Sequence, residues 1–384
     1  MVKSVISRES ESKKFMMPLK GYWEQVRRDD MIHIVEPTLV NESGHCHSFI
    51  ASLCHVNRNQ AFYLWVGKYA HLPDLSGNVQ VIKYFFRRIR LIQAYFLYKK
   101  LLDLPGRILV STAGRVDLML LSWAAKRDIP PKKVYLYFHY VRLTGKKLNY
   151  FKKISSLYPN IVILGPTVST MKVFQDCGFK NTQVVPYPIT VIHTESPRQS
   201  GFRHLLFAGG AREDKGFSRI VDMIDYLAQR RMQIGFVLQT SPDYYHKYDT
   251  LTRMNLSRLK SISYPFLLIH PETLHADEYA KLFEGGICLQ PYHRNDFADR
   301  ISGVTLDALS AGCPVVTLTK TWMGRLVQRF DAGRVIENAD PEQMMSAVQT
   351  IIDDYSRYQQ NAYDAGKVLQ MENSADHLLM VLVA

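Results

Sequence analysis

The 384 residues are enough for two domains of ordinary size, each with its own core. With 47% hydrophobic and 22% charged residues the chain is globular, not disordered or collagenous, and no run of about 18 apolar residues is present to span a membrane. The net charge of +13 is lopsided: residues 1–200 carry 29 Lys and Arg against 13 Asp and Glu, residues 201–384 carry 19 against 22, so any anionic partner meets the first half.

The opening MVKSVISRESESKKF has no apolar h-region, so no secretory signal is expected. Residues 1–30 are polar, and Met31 to Thr38 reads as the first strand. Asn41-Glu42-Ser43-Gly44-His45 follows, then a helical pattern through Phe49, Ile50 and Leu53. Strand, Gly-containing turn, helix opens a nucleotide-type α/β unit, although one glycine serves a plain turn equally well. Ala61 to Val66 is a second strand.

Val81 to Leu102 reads as one helix. Ile82, Phe85, Ile89, Ile92 and Phe96 would form the stripe facing a core, and Tyr84, Leu91, Tyr95, Tyr98 and Leu102 a second stripe on the other side. Lys83, Arg87 and Arg90 flank that outer stripe on one edge, Arg88 and Lys99 on the other. Aromatics between basic rows suit the headgroup region of an anionic bilayer, and the alternative is a helix buried on both faces with snorkelling basic residues. With this stripe the anionic partner is expected to be a membrane surface and not nucleic acid.

Strands at Arg107 to Ser111, Val134 to His139, Asn160 to Gly165 and Thr182 to Pro186 alternate with helices at Val116 to Ala125 and Val168 to Cys177. His139 ends its strand, where a histidine is either a structural hydrogen-bonding residue or a base titrating near neutrality. Thr194 to Gly201 is polar and reads as a linker. The alternation restarts at Leu205-Leu-Phe-Ala-Gly209-Gly210-Ala-Arg212-Glu-Asp-Lys215-Gly216: glycines let a ligand approach the backbone, and Arg212 with Lys215 neutralise a diphosphate. Ile234 to Gln239 and Phe266 to His270 are further strands, with Ser241 to Ser261 read as an insertion and Asp277 to Phe283 as a helix.

The stretch Gly285 to Thr319, GGICLQPYHRNDFADRISGVTLDALSAGCPVVTLT, is strand, loop, helix, strand. Ser302 stands at an N-cap, so the amides of Gly303, Val304 and Thr305 face the loop unpaired, and such helix starts attract anions. Asp299 and Asp307 bracket the turn with seven residues between them. This stretch resembles the C-terminal signature of nucleotide-sugar-dependent group 1 GT-B glycosyltransferases, in which two Glu residues carry the same spacing and an Ala-x-Gly-x-Pro-Val-Val run follows; here Asp stands at both places. Residues 209–216 are likewise similar to that family's Gly-x-x-x-x-Lys-Gly segment.

The resemblance implies an α/β fold of two Rossmann-like doubly wound domains facing across a cleft. Residues 1–190 would form an acceptor- and membrane-facing domain and 191–372 a nucleotide-sugar-binding domain, with the terminal helix 373–384 crossing back. It implies a transferase moving a sugar from a nucleoside diphosphate sugar to a lipid-linked or cell-envelope glycan at the cytoplasmic membrane surface. Arg212, Lys215, Gly210, Ser302, Gly303 and Val304 would hold the diphosphate, Asp307 the ribose hydroxyls, and Glu272 and Thr273 the base. His139 would touch the donor sugar, and Gly44 and Glu42 would face the cleft. Asp299 would steady charge on the sugar, or form a salt bridge with Arg294 or Arg300. No cofactor and no metal are expected, since no His, Cys or carboxylate cluster has ligand spacing, and the five scattered cysteines read as reduced thiols of a cytoplasmic protein. The alternatives are a catalytically silent GT-B binding protein docked to membrane or nucleic acid, and a nucleotide-sugar epimerase.

Overall fold

The computed structural model describes residues 31–42, 45–56, 60–75, 77–126, 128–141, 145–189, 201–243 and 248–384. Gly44 and residues 194–200 of the expected linker lie outside them.

Two all-parallel sheets organise the chain. The first has the order β3-β2-β1-β4-β5-β6-β7, with β1 Ile32–Val35, β2 Phe62–Gly67, β3 Val79–Phe85, β4 Arg107–Val110, β5 Val134–Tyr137, β6 Val162–Gly165 and β7 Thr182–Val184. The second has the order β10-β9-β8-β11-β12-β13, with β8 His204–Phe207, β9 Gly235–Gln239, β10 Leu267–His270, β11 Gly286–Gln290, β12 Val315–Leu318 and β13 Gly333–Ile336. The central strands IHIV, FYLWVG and GICLQ are buried along their whole length, because helices cover both faces of a parallel sheet and leave no polar side. In each sheet the order reverses once, between β1 and β4 and between β8 and β11, and ligands of open α/β sheets bind at the carboxyl ends of such strand pairs.

The single helix expected over 81–102 is not formed. Val79–Phe85 is a strand paired parallel to β2, with Leu64 opposite Val81 and Trp65 opposite Ile82; after the first helix, α1 at His45–Val56, the helix α2 starts only at Arg90 and runs to Asp103. The β-branched and aromatic run VQVIKYF suits a pleated edge, and its apolar residues continue across the turn at a spacing that imitates a helix. The two expected faces are therefore mixed, with Phe85 buried and Leu91 exposed as expected but most of the others exchanged. Ala94, Leu97, Tyr98 and Leu101 form the buried stripe, and Tyr98, expected outside against lipid, is 0% exposed with its hydroxyl donating to Asp117 at 2.7 Å. Tyr84 packs edge-on against Trp65 at the sheet. Ile89, Leu91, Ile92 and Phe96 point to solvent, and Lys83, Arg87 and Arg88 are exposed.

Two further elements depart from the sequence reading. Part of the stretch taken as an insertion is a helix, Thr250–Ser261, capped by Asp249. The region between 355 and 373 is an 18-residue helix, Tyr355–Glu372, which lies across the helix Gly303–Ser310. Gly366 makes that crossing possible: a Cβ there would stand 2.6 Å from Leu309 O and from Ser310 Cα. The last helix, Ala375–Val383, rests on the first-half helix His45–Val56, so Leu378 and Leu382 join Phe49 and Leu53 in one apolar cluster that also holds Leu206 and Leu309. Arg107 donates to Leu382 O, and Lys132 Nζ to Ala384 O at 2.8 Å.

Candidate functional site

At the end of β8 the backbone turns through Gly209 at φ +95°, a conformation that favours glycine. A Cβ there would lie 2.5 Å from Lys215 Nζ and 3.5 Å from Val304 Cγ2. Thus the basic loop and the first turn of the helix Gly303–Ser310, far apart in sequence, meet at one point. Gly209 N is held by Gln239 Oε1 at 2.7 Å. Gly216, at φ +71°, lets the Lys215 turn slide beneath β11, since a Cβ would strike Pro291 O at 2.1 Å. Gly303 has open space where a side chain would be.

Lys215 makes no hydrogen bond or ion pair among the described residues; its ammonium stands 5.6 Å over the Tyr292 ring. Burial, then the charge of Arg212, push its pKa down to about 8 against the pull of Asp214, with Arg300 adding to the depression. Arg212 grips Asp214 with two bonds, Nε–Oδ1 2.8 Å and Nη2–Oδ2 2.6 Å, and Arg300 reaches the same carboxylate at 3.1 Å. Burial alone would raise the Asp214 carboxyl, but these cations hold it below its ordinary value. Arg300, which the sequence reading gave only as a partner for Asp299, is therefore a third cation beside Arg212 and Lys215.

Ser302 caps the helix with Oγ accepting from Thr305 N at 3.3 Å, and the amides of Gly303 and Val304 have no partner among the described residues. Asp307, one turn in, accepts from Tyr279 Oη at 3.1 Å through Oδ2. Burial pushes Asp307 up to about 6, opposed by that hydrogen bond and by Lys215. Burial and Asp307 hold the Tyr279 phenol well above its usual range, so it remains a donor. Tyr279 was absent from the sequence reading.

Asp299 bonds neither Arg294 nor Arg300; it pairs with Arg325 at 2.9 Å, both half exposed. Arg294 instead binds Thr319 and Glu337. Glu272 and Thr273 are exposed beyond the end of β10, the edge strand, two strands from the reversal point.

The first half presents a different surface at its own reversal point. Glu36, directly after β1, is 0% exposed. It accepts from Thr38 Oγ1 at 2.6 Å, from Ser111 Oγ at 2.9 Å and from Thr112 Oγ1. His139 is half buried among Phe49, Tyr137 and Tyr187, with Nε2 2.7 Å from Ser111 O. A carbonyl can only accept, so Nε2 carries the proton and base chemistry is left to Nδ1. Tyr187 belongs to the apolar cluster that holds Phe49 of the first half and Leu306 of the second, and burial, then Cys46, Asp307 and Glu36, raise its pKa. Glu42 is half buried, its Oε1 accepting from Asp74 N at 2.6 Å, with His47 Nε2 4.0 Å away. Among the described residues no group of three His, Cys, Asp or Glu is placed to hold a metal ion.

No family model matches the chain, and no curated protein does. Solved structures match over nearly their whole length. The trehalose-6-phosphate synthase OtsA superimposes with a TM-score of 0.67 at 10% identity, covering 92% of this chain and 98% of its own. Sucrose-phosphate synthase from Thermosynechococcus elongatus gives 0.66 at 12%, covering 92% and 97%. WaaG, a glycosyltransferase involved in lipopolysaccharide biosynthesis, gives 0.62 at 13%, covering 91% and 99%. At such identities the likeness establishes the fold, and that fold is GT-B.

Proposed function

We propose that the protein is a glycosyltransferase that takes a sugar from a nucleoside diphosphate sugar and passes it to a glycan or lipid-linked acceptor. One observation carries this reading: Lys215, the Arg212 and Arg300 pair, and the free amides of Gly303 and Val304 converge at the carboxyl ends of β8 and β11. Such donors, fixed before the reaction, stabilise the charge of a departing diphosphate without reorganising. Asp307 retains Oδ1 for the ribose hydroxyls while Tyr279 occupies Oδ2. HepE of Anabaena, a GT-B neighbour with a TM-score of 0.61 at 12% identity, was solved with UDP and glucose, which makes UDP the first nucleotide to test. A thermal-shift series with UDP, GDP, ADP and TDP checks the reading, because a ligand held only by the folded chain raises its melting temperature. Absence of any shift with all four sinks it.

The acceptor side of this proposal is a membrane surface. Ile89, Ile92 and Phe96 stand on one face of α2 and its entry turn, 43%, 60% and 56% exposed, beside Arg87 and Arg88. The apolar face thus comes from residues the sequence reading assigned to the core, and the exposed Arg87 and Arg88 precede it in the turn before the helix. Each basic residue close to an anionic bilayer contributes roughly 1 kcal/mol, screened by salt. No helix among the described residues is long and apolar enough to cross a membrane. Sedimentation with phosphatidylglycerol vesicles is expected to capture the protein at low salt and release it at high salt, and no capture at low salt removes the membrane from the proposal.

A further inference from the structure

The Glu36 cluster is not used by the donor chemistry above, yet it puts a fully buried carboxylate at the reversal point of the first sheet. An unneeded buried charge is costly, and an apolar residue would pack there with less expense of hydrogen bonds. What the carboxylate does is fix the direction of three hydroxyls. A Ser or Thr hydroxyl has one proton and two lone pairs. Thr38 Oγ1, Ser111 Oγ and Thr112 Oγ1 all give their proton to Glu36. Ser111 is buried, but Thr38 is exposed and Thr112 half buried, so what these two hydroxyls still offer a ligand is lone pairs, Thr38 also being hydrogen-bonded to Cys46. Tyr187 packs edge-on against His139, which bonds Ser111 O, and it shares an apolar cluster with Leu306 and Leu309 of the donor helix, so this surface lies toward the donor lobe.

We infer that Thr38 and Thr112, polarised by Glu36, form an acceptor subsite for an uncharged, hydroxyl-bearing sugar, and that a phosphorylated sugar does not place its phosphate there. A sugar hydroxyl donates into these lone pairs. A sugar phosphate is mostly a dianion above its second pKa of about 6, so its oxygens then offer lone pairs, and in every ionised form its negative charge would face the Glu36 carboxylate behind the hydroxyls. This rests on the glycosyltransferase reading and narrows it, since it concerns which acceptors the transferase takes.

The test uses the full chain with isotope-labelled threonine methyls, saturated with UDP, and titrated in parallel with glucose, N-acetylglucosamine and inorganic phosphate. The Thr38 and Thr112 methyl resonances, assigned from the Thr38→Val and Thr112→Val variants, are expected to move with at least one sugar and to stay still with phosphate. In Glu36→Gln the sugar response should weaken about ten-fold, the loss of one good hydrogen bond, with UDP affinity unchanged. Thr112→Val, nearly the same shape, should weaken the Thr38 response to sugar without altering the fold or UDP binding. Resonances that move with phosphate, or that ignore both sugars, overturn the inference. Failure to bind UDP at all is a different result, which strikes the donor site and not this one.

Discussion

The two faces of the cleft are wired in opposite senses. On the second lobe charged groups are left incompletely matched: Lys215 has no hydrogen-bond partner among the described residues, and Asp307 has one, although both are largely out of water. On the first lobe the groups at the reversal point are paired with one another, Glu36 taking three hydroxyl protons and His139 giving its own to Ser111. The difference teaches what each face is built to receive. Unmatched cations wait for an anion that arrives and leaves, whereas saturated groups with their protons turned inward accept from a neutral ligand.

The contrast predicts mutations of opposite sign. The largest effect is expected for Lys215→Met: UDP affinity should fall about 100-fold, as for a lost charge-assisted contact of roughly 2–3 kcal/mol, while stability at pH 7 rises. The folded pKa of about 8 lies below the ordinary 10.5, so the unfolded chain binds more protons between those values and wild-type stability climbs with pH across that window. The variant should lack the climb, which melting curves between pH 7 and 10.5 check. An unchanged UDP affinity would remove Lys215 from the site.

Next in size is Asp307→Asn. The carboxyl is raised from 3.8 to about 6, so the folded chain holds the proton longer and stability is lost as pH rises from 3.8 through 6. Above pH 6 the asparagine variant should therefore be the more stable protein, by up to about 3 kcal/mol, yet it should lose most of the preference for UDP over 2′-deoxy-UDP. Calorimetric titration with both nucleotides separates this role from packing.

Glu36→Ala should move the other way. Removing an acceptor from three hydroxyls, one of them fully buried, is expected to lower stability by about 1–3 kcal/mol, with UDP affinity kept. Equal losses in stability and in UDP binding would show that the two faces are not separate. The smallest effect is expected for Arg325→Ala. Its bond to Asp299 joins two half-exposed side chains, and such pairs contribute about 0–1 kcal/mol; a large fall in turnover would show that Arg325 holds Asp299 for a task in the cleft.

The strand–loop–helix at 286–310 and the cation at 215 were each legible locally, the first from an apolar run followed by an N-cap and helical spacing, the second from glycines and a basic pair within 209–216. Arg300 was not, since its importance comes from Asp214, 86 residues away. Glu36 was read as the tail of an apolar strand, and only the neighbouring β4 loop supplies Ser111 and Thr112. Tyr279 has no local signal, because its partner Asp307 lies 28 residues further along the chain. The helix Tyr355–Glu372 escaped notice because its buried side includes Ala362, Ala365 and Gly366, whose small side chains leave a faint periodic signal. The strand at 79–85 was hidden by the reverse problem, an apolar spacing that ran through a turn and continued into a helix.

Gly366 has a consequence for anyone screening variants of this protein. It touches none of the groups assigned to ligand, yet the backbone of Leu309 and Ser310 lies against it with no room for a methyl. Any side chain at 366 must shove the opposing helix along or away, and its opening turn carries the Gly303 and Val304 amides. A search for expressed but inactive clones should therefore recover position 366 alongside 215, and Gly366→Ala should read as a binding defect in a UDP thermal-shift assay. Judged by its neighbours alone, that residue would be filed as inert scaffold.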